Sequence, residues 1–143
     1  MDSCFNLENA VKRMKERDYK RLYWAVDLHG TIIEGKFSKW NEGREFYPDC
    51  KEVLNVLHNR PDMCLILWTS SQKDSTEDML KWFKEHGIHF DYVNENPEMP
   101  VGHFCDFTRK FAFDILLDDK AGFLGHTDWT LIKNKLIELN LYG

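Results

Sequence analysis

Short apolar runs alternate with amphipathic stretches along this chain. Residues 22–28 and 63–68 are nearly continuous apolar runs, and residues 113–117 form a third run that ends at a pair of acids. A strand without polar alternation is typical of a parallel sheet covered on both faces. These runs therefore predict three strands, and residues 88–93 are a further, shorter strand candidate.

The stretches between the runs carry apolar residues at helical spacing. A helix is predicted after Pro48, and another with a capping box made by Asp74 and Glu77. The last helix is expected to begin at a Thr127 or Asp128 cap, and residues 1–21 contain an N-terminal helix. The apolar positions of these four helices are Leu7, Ala10, Val11, Met14, Val53, Leu54, Val56, Leu57, Met79, Leu80, Trp82, Phe83, Trp129, Ile132, Leu136 and Leu139.

This order of elements predicts an α/β fold. Strands that alternate with helices imply a doubly wound, Rossmann-like parallel sheet with right-handed crossovers and helices on both faces. We expect one domain over residues 1–143, in which residues 32–47 form a small flap. No segment between the strands is long enough for a separate cap domain.

Composition and charge limit the partners and the compartment. The 143 residues are 43% apolar and carry a net charge of −5, which argues against a nucleic-acid partner. The basic run at residues 12–21 is interpreted as the solvated face of a helix. No apolar run approaches the ~20 residues that span a bilayer, and no leader is evident. Scattered cysteines fit reduced thiols, so a cytoplasmic protein is expected.

Polar side chains follow three of the predicted strands, at the edge where parallel sheets bind ligands. Asp27 and Asp118 would repel each other there unless a cation lay between them, and oxygen ligands favour Mg²⁺. Such an ion commonly bridges to phosphate. Thr69 would then donate a hydrogen bond and Lys110 would supply positive charge to the phosphoryl oxygens. Arg109, beside Lys110, is the alternative cation.

Four segments resemble the motifs of the haloacid dehalogenase superfamily. Residues 26–31, Val-Asp-Leu-His-Gly-Thr, are similar to its first motif, Asp-x-Asp-Gly-Thr at a strand end. Residues 66–70 resemble the second motif, an apolar strand that ends in Thr or Ser. Lys110 and residues 114–119 are similar to the third and fourth motifs, a lysine and a strand that ends in paired acids. The four occur in the family's order, which makes the set more specific than any one motif.

The resemblance implies a role for each matching residue. Asp27 would be the nucleophile and a Mg²⁺ ligand, Asp118 a second ligand and Asp119 a supporting acid at the metal. Thr69, with Ser70, would bind the transferring phosphoryl group. Lys110 would screen the charge of nucleophile and phosphate.

His29 departs from the family pattern. The family uses the backbone carbonyl at this position as a metal ligand, which any residue provides, but its side chain is normally an Asp that acts as general acid and base. An imidazole is able to perform both proton transfers. Without that help the rate would fall by about 10²–10⁴-fold.

The expected activity is a magnesium-dependent phosphohydrolase that acts on a small phosphate monoester through an aspartyl-phosphate. A domain that binds a phosphorylated ligand without turnover is the alternative. A response-regulator receiver fits less well, because its acidic pair belongs near the first strand. Phe37, Trp40 and Phe46 of the flap either stack on substrate or pack the flap onto the domain. The open site also leaves room for a second copy of the chain as a partner.

Overall fold

The computed structural model describes residues 6–34, 44–99, 106–107 and 109–143. Four α-helices, four strands and one 3₁₀ turn occur in that part of the chain. No helix within it has the length and apolar character needed to cross a membrane. The elements are α1 (Leu7–Glu16), β1 (Leu22–Asp27), α2 (Cys50–His58), β2 (Met63–Trp68), α3 (Lys73–Glu85), β3 (Tyr92–Val93), β4 (Ile115–Leu117), the 3₁₀ turn (Asp119–Ala121) and α4 (Gly125–Glu138).

The four strands form one parallel sheet in the order β3-β2-β1-β4. The two long apolar runs became its central strands: β1 pairs with β2 over six residues, from Leu22 opposite Met63 to Asp27 opposite Trp68. β4 and β3 are short outer strands that pair with β1 and β2. The predicted parallel, Rossmann-like fold is confirmed, and the described residues form no separate cap domain. The outer strands are shorter than the apolar runs at residues 88–93 and 113–117.

The two faces of the sheet are covered differently. Alternate residues of β1, among them Trp24 and Val26, pack with the buried residues of all four helices. Tyr23 and Ala25 face the other way, into a cluster with Phe111 and other aromatic residues. Helices were expected on both faces. Among the described residues, the helices lie on one face, and non-helical chain from the β3–β4 connection covers the other.

The beginnings of two helices differ from the sequence prediction. α3 begins one residue before Asp74, and no side-chain hydrogen bond from Gln72 caps it. α4 begins at Gly125, before the predicted caps. There the Asp128 carboxylate reaches back to accept the backbone N–H of Leu124 at 2.7 Å, while the Thr127 hydroxyl donates to Asp128 at 3.0 Å. The polar residues therefore lie inside the first turns rather than at the N-caps.

The end of the flap packs onto the domain. Phe46 forms an antiparallel bridge with Ile33, and its ring stacks on Trp82 of α3 with centroids 4.7 Å apart. This contact agrees with the packing role rather than with substrate stacking. Phe37 and Trp40 lie outside the described residues.

A polar network ties the start of the sheet to the chain that follows β3. The Arg21 guanidinium donates to Glu98 at 2.8 Å, to Asp91 at 3.2 Å and to the carbonyl of Met63 at 2.9 Å. Tyr92 also donates to Glu98, at 2.7 Å. The network holds residues 94–99 against the end of the sheet at which the strands begin, opposite the candidate site.

The described cysteines, Cys50 and Cys64, are buried free thiols. Burial raises the pKa of the Cys64 thiol to about 12, so this thiol stays protonated and unreactive near neutral pH. These two agree with the expected reduced state, while Cys4 and Cys105 lie outside the described residues.

Candidate functional site

Three strand ends meet at the carboxyl edge of the sheet. β1 is the central strand of the three and ends at Asp27, while Thr69 follows β2 and Asp118 follows β4. Because neighbouring parallel strands end side by side, residues distant in the sequence line one cavity of about 510 Å³. Its lining residues are Asp27, His29, Trp68, Thr69, Ser70, Ser71, Asp118, Asp119 and Lys120.

Three carboxylates converge in this cavity. Asp27, Asp118 and Asp119 each place one oxygen within 4.8 Å of the others. Burial, a hydrogen bond with Asp119 and the nearby charge of Asp118 raise the pKa of Asp27 to about 7. Clustered, partly buried carboxylates fit a hard divalent cation, since its charge relieves their repulsion and its ligands are oxygens. The donor set is therefore suited to Mg²⁺.

Thr31 joins two of these acids. Its hydroxyl donates to Asp27 Oδ2 at 3.3 Å and accepts the backbone N–H of Asp119 at 3.1 Å. Its carbonyl accepts the indole N–H of Trp129 at 2.7 Å, and both Thr31 and Trp129 are fully buried. Helix α4 thus anchors the turn after β1, and the sequence prediction assigned neither residue this role.

The turn after β2 is held by its own hydroxyls and by Asn94. The Thr69 hydroxyl donates to Ser71 Oγ at 2.9 Å and accepts the Ser71 backbone N–H at 3.1 Å. Asn94 accepts the backbone N–H of Thr69 and donates to its carbonyl, both at 2.8 Å. Ser70, predicted with Thr69 to bind phosphate, lines the same cavity. The sequence analysis missed Asn94, although an Asn directly after a strand was a visible signal.

His29 lines the cavity, and its backbone forms a bridge with Ile33. Its side chain is not one of the three ligand groups that converge among the described residues. Burial, and to a smaller extent the charge of Arg44, lower the pKa of the imidazole. The neutral form of His29 is favoured as a result.

Lys110 does not line the cavity with the other predicted residues. Its ammonium lies 5.4 Å from the ring centroid of Phe113, and Lys110 and Arg109 both line a neighbouring cavity. The described lysine in the acidic cavity is Lys120. Its position directly after the paired acids was the sequence signal for it.

Comparisons with known proteins support the fold and leave the activity open. The chain is similar to a solved structure of a conserved protein from Bacteroides thetaiotaomicron, with a TM-score of 0.61 and 26% identity. The match covers 84% of this chain and 92% of that one. No family model matches the chain, and no curated protein matches it. Membership of the haloacid dehalogenase superfamily stays a prediction.

Proposed function

We propose that this protein is a magnesium-dependent phosphohydrolase of the haloacid dehalogenase type, with a small phosphate monoester as substrate. The observation that carries the proposal is the convergence of Asp27, Asp118 and Asp119 beside Thr69 at the carboxyl edge of the sheet. The three acids suit a cation, and the neighbouring hydroxyl donors suit a phosphate, so the site as a whole fits the two ligands bound together.

The three carboxylates would hold the metal ion. Bound Mg²⁺ supplies positive charge that offsets the negative charge of the phosphoryl oxygens. Thr31 positions two of the ligands through its hydroxyl, so the site is organised by hydrogen bonds as well as by charge.

Asp27 would act as the nucleophile. One carboxylate oxygen forms a bond to phosphorus while the bond from phosphorus to the leaving oxygen breaks, which yields an aspartyl-phosphate and an alcohol. Water then attacks phosphorus, releases inorganic phosphate and restores the carboxylate. The hydroxyls of Thr69 and Ser70 orient the phosphoryl group, and Lys120 adds positive charge in the same cavity. Lys110 resembles the family lysine but lines the neighbouring cavity.

His29 would move the protons. In the first step the leaving oxygen takes up a proton, and in the second the attacking water loses one. A neutral imidazole is suited to accept the proton from water, and once protonated it donates to the next leaving group.

A second candidate function is a domain that binds phosphorylated ligands with little or no turnover. The observation that favours it is His29, which replaces the carboxylate expected at the proton-transfer position. In that case the acids and Thr69 retain a phosphate ligand, whereas the ester bond stays intact.

Phosphate release from para-nitrophenyl phosphate and a panel of phosphate esters, with Mg²⁺ or with EDTA, tests the proposal. Asp27→Asn should abolish release. Asp114→Asn is the matched control, because Asp114 is also a partly buried acid next to the sheet but does not line the cavity. Release that survives in Asp27→Asn excludes this nucleophile. Magnesium-dependent binding of inorganic phosphate without any release from the esters supports the second candidate.

A further inference from the structure

A second cavity adjoins the acidic one across the side chain of Trp68. Trp68 lines both cavities and is 40% exposed. The second cavity has a volume of about 330 Å³ and lies on the sheet face that the helices do not cover. The two cavities therefore adjoin at the Trp68 side chain.

Strand register explains why the two cavities adjoin. Asp27 and Trp68 are paired residues at the ends of β1 and β2, and side chains at paired positions share a face. Ala25 lies two residues before Asp27, on that same face and about 7 Å back along the strand. Ala25 lines the second cavity, and its single methyl group leaves room there that a larger side chain would fill.

Aromatic side chains form much of the described lining. Phe111 meets Trp68 edge to face, with centroids 5.2 Å apart, and Phe113 lies 5.8 Å from Phe111. Leu116 of β4 contributes an aliphatic surface. Flat rings pack well against this combination, because edge-to-face and offset contacts add to the burial of apolar area.

Charge at this cavity discriminates between two kinds of occupant. Aromatic side chains bind organic cations as well as neutral rings. Arg109 and Lys110, however, both line the cavity. Their positive charges repel a cationic group and favour a neutral or electron-rich ring.

We propose that this second cavity binds a planar aromatic ring in the leaving group of the phosphate ester. The inference rests on the proposed function for the position of the phosphate, and it adds the substrate class. Trp68 forms the shared side of the two cavities, so that ring and phosphate bind together. The ring is either attached directly to the ester oxygen, as in an aryl phosphate, or carried on a sugar, as in a nucleotide.

Two pairs of matched ligands test the ring, and the first pair does so independently of catalysis. Phenylphosphonate and cyclohexylphosphonate are not hydrolysed and differ in the planarity of the ring, and their affinities are measured by calorimetry with Mg²⁺ present. AMP and ribose 5-phosphate carry the same type of ester with and without a base, and their KM values are compared. We expect phenylphosphonate to bind several-fold more tightly than cyclohexylphosphonate. A lower KM for AMP than for ribose 5-phosphate identifies a ring carried on a sugar, and equal KM values identify a directly attached ring.

Two variants test whether the preference for phenylphosphonate arises in this cavity. Phe113→Leu removes a ring from the cavity, whereas Tyr142→Leu removes a ring that also lies near a lysine, with Lys133 5.8 Å from its centroid, but packs with the opposite face. Aromatic contacts contribute about 0.5–1.5 kcal/mol. Phe113→Leu should therefore weaken phenylphosphonate binding by about twofold to tenfold and leave cyclohexylphosphonate nearly unchanged. Tyr142→Leu should change neither.

The outcomes separate the two proposals. Equal wild-type affinities for the two phosphonates overturn the ring-binding inference, even if esters are hydrolysed. A phenylphosphonate preference that Phe113→Leu removes supports the inference, even if no ester is hydrolysed and the proposed activity fails. A preference that persists in Phe113→Leu places the ring elsewhere and also overturns the inference.

Discussion

Gly30 and Asp119 are in close contact: a Cβ atom at Gly30 would lie 2.7 Å from Asp119 Oδ2. Gly30 also has a φ of +81°, a conformation that L-residues with side chains rarely adopt. The absence of a side chain at residue 30 therefore lets the turn after β1 approach a proposed Mg²⁺ ligand in the 3₁₀ turn that follows β4.

Gly30→Ala should weaken Mg²⁺ binding by about tenfold or more, because the new methyl group displaces the Asp119 carboxylate. Gly122→Ala is the matched control, since Gly122 has a φ of +99° and a Cβ there meets nothing within 4 Å. Calorimetric Mg²⁺ titration measures both. Equal losses in the two variants would attribute the effect to backbone strain alone.

Asn94→Gly should raise KM for para-nitrophenyl phosphate by roughly tenfold, because the variant loses both hydrogen bonds that hold the Thr69 backbone. Glycine tolerates the positive φ of residue 94, which is 56°. Asn140→Gly controls for the substitution, since Asn140 has a similar φ of 59°. Steady-state kinetics check the prediction, and an unchanged KM in Asn94→Gly would show that Asn94 does not position the phosphate site.

His29→Asp should increase turnover of alkyl phosphates more than turnover of para-nitrophenyl phosphate. An alkoxide leaves poorly unless it is protonated, so a gain in general-acid catalysis, about 10²–10⁴-fold at most, appears mainly with alkyl esters. The ratio of the two kcat values in variant and wild type is the measurement. A decrease that is larger for alkyl phosphates than for para-nitrophenyl phosphate would contradict the prediction and show that the imidazole is a better acid than a carboxylate at this position.

Arg21→Met should lower the free energy of unfolding by about 2 kcal/mol, because Glu98 and Asp91 lose their charged partner while partly buried. Arg60→Met is the control, because Arg60 pairs with Asp62, only two residues away in the chain. Urea denaturation gives both values. A loss in Arg60→Met as large as that in Arg21→Met would refute a special role for the network.

Asp114→Asn should stabilise the protein increasingly as the pH rises. Burial is the main cause that raises the pKa of Asp114 above 3.8, so the folded protein retains a proton that the unfolded chain has lost. The unfolding free energy of the wild type therefore decreases from about pH 3.8 up to the folded pKa, and Asn removes this contribution while its amide oxygen still accepts the Tyr23 N–H. Denaturation of both proteins across pH measures the difference, and a pH-independent difference would contradict the prediction.

Much of the fold follows from local patterns. β1 and β2 were recognisable because both of their faces are buried, which leaves no polar alternation, and the helices because one stripe of each is apolar. The outer strands were less predictable. Ile88 and Phe90 are apolar and buried, and burial alone does not reveal that the strand paired with β2 contains only Tyr92 and Val93.

The candidate site also contains residues that local patterns predicted and residues that they did not. Asp27, Thr69 and Asp118 were predictable because each lies at the end of a recognisable strand or directly after it, and the ends of parallel strands meet at one edge. Asn94 and Lys120 were not assigned, since their positions depend on how the connecting turns fold, and Trp68 was not assigned because its position beside Asp27 depends on the register of β1 and β2.

The sequence by itself determined that strands and helices alternate. It also determined that an aspartate, a threonine and a pair of aspartates stand at the strand ends, because hydrophobic burial and strand termination are local properties. Only the tertiary structure decided which side chains share a cavity. It paired Asp27 with Trp68, placed Lys110 beside Phe113 and brought Lys120 to the acids, because register and sheet face depend on contacts between distant parts of the chain.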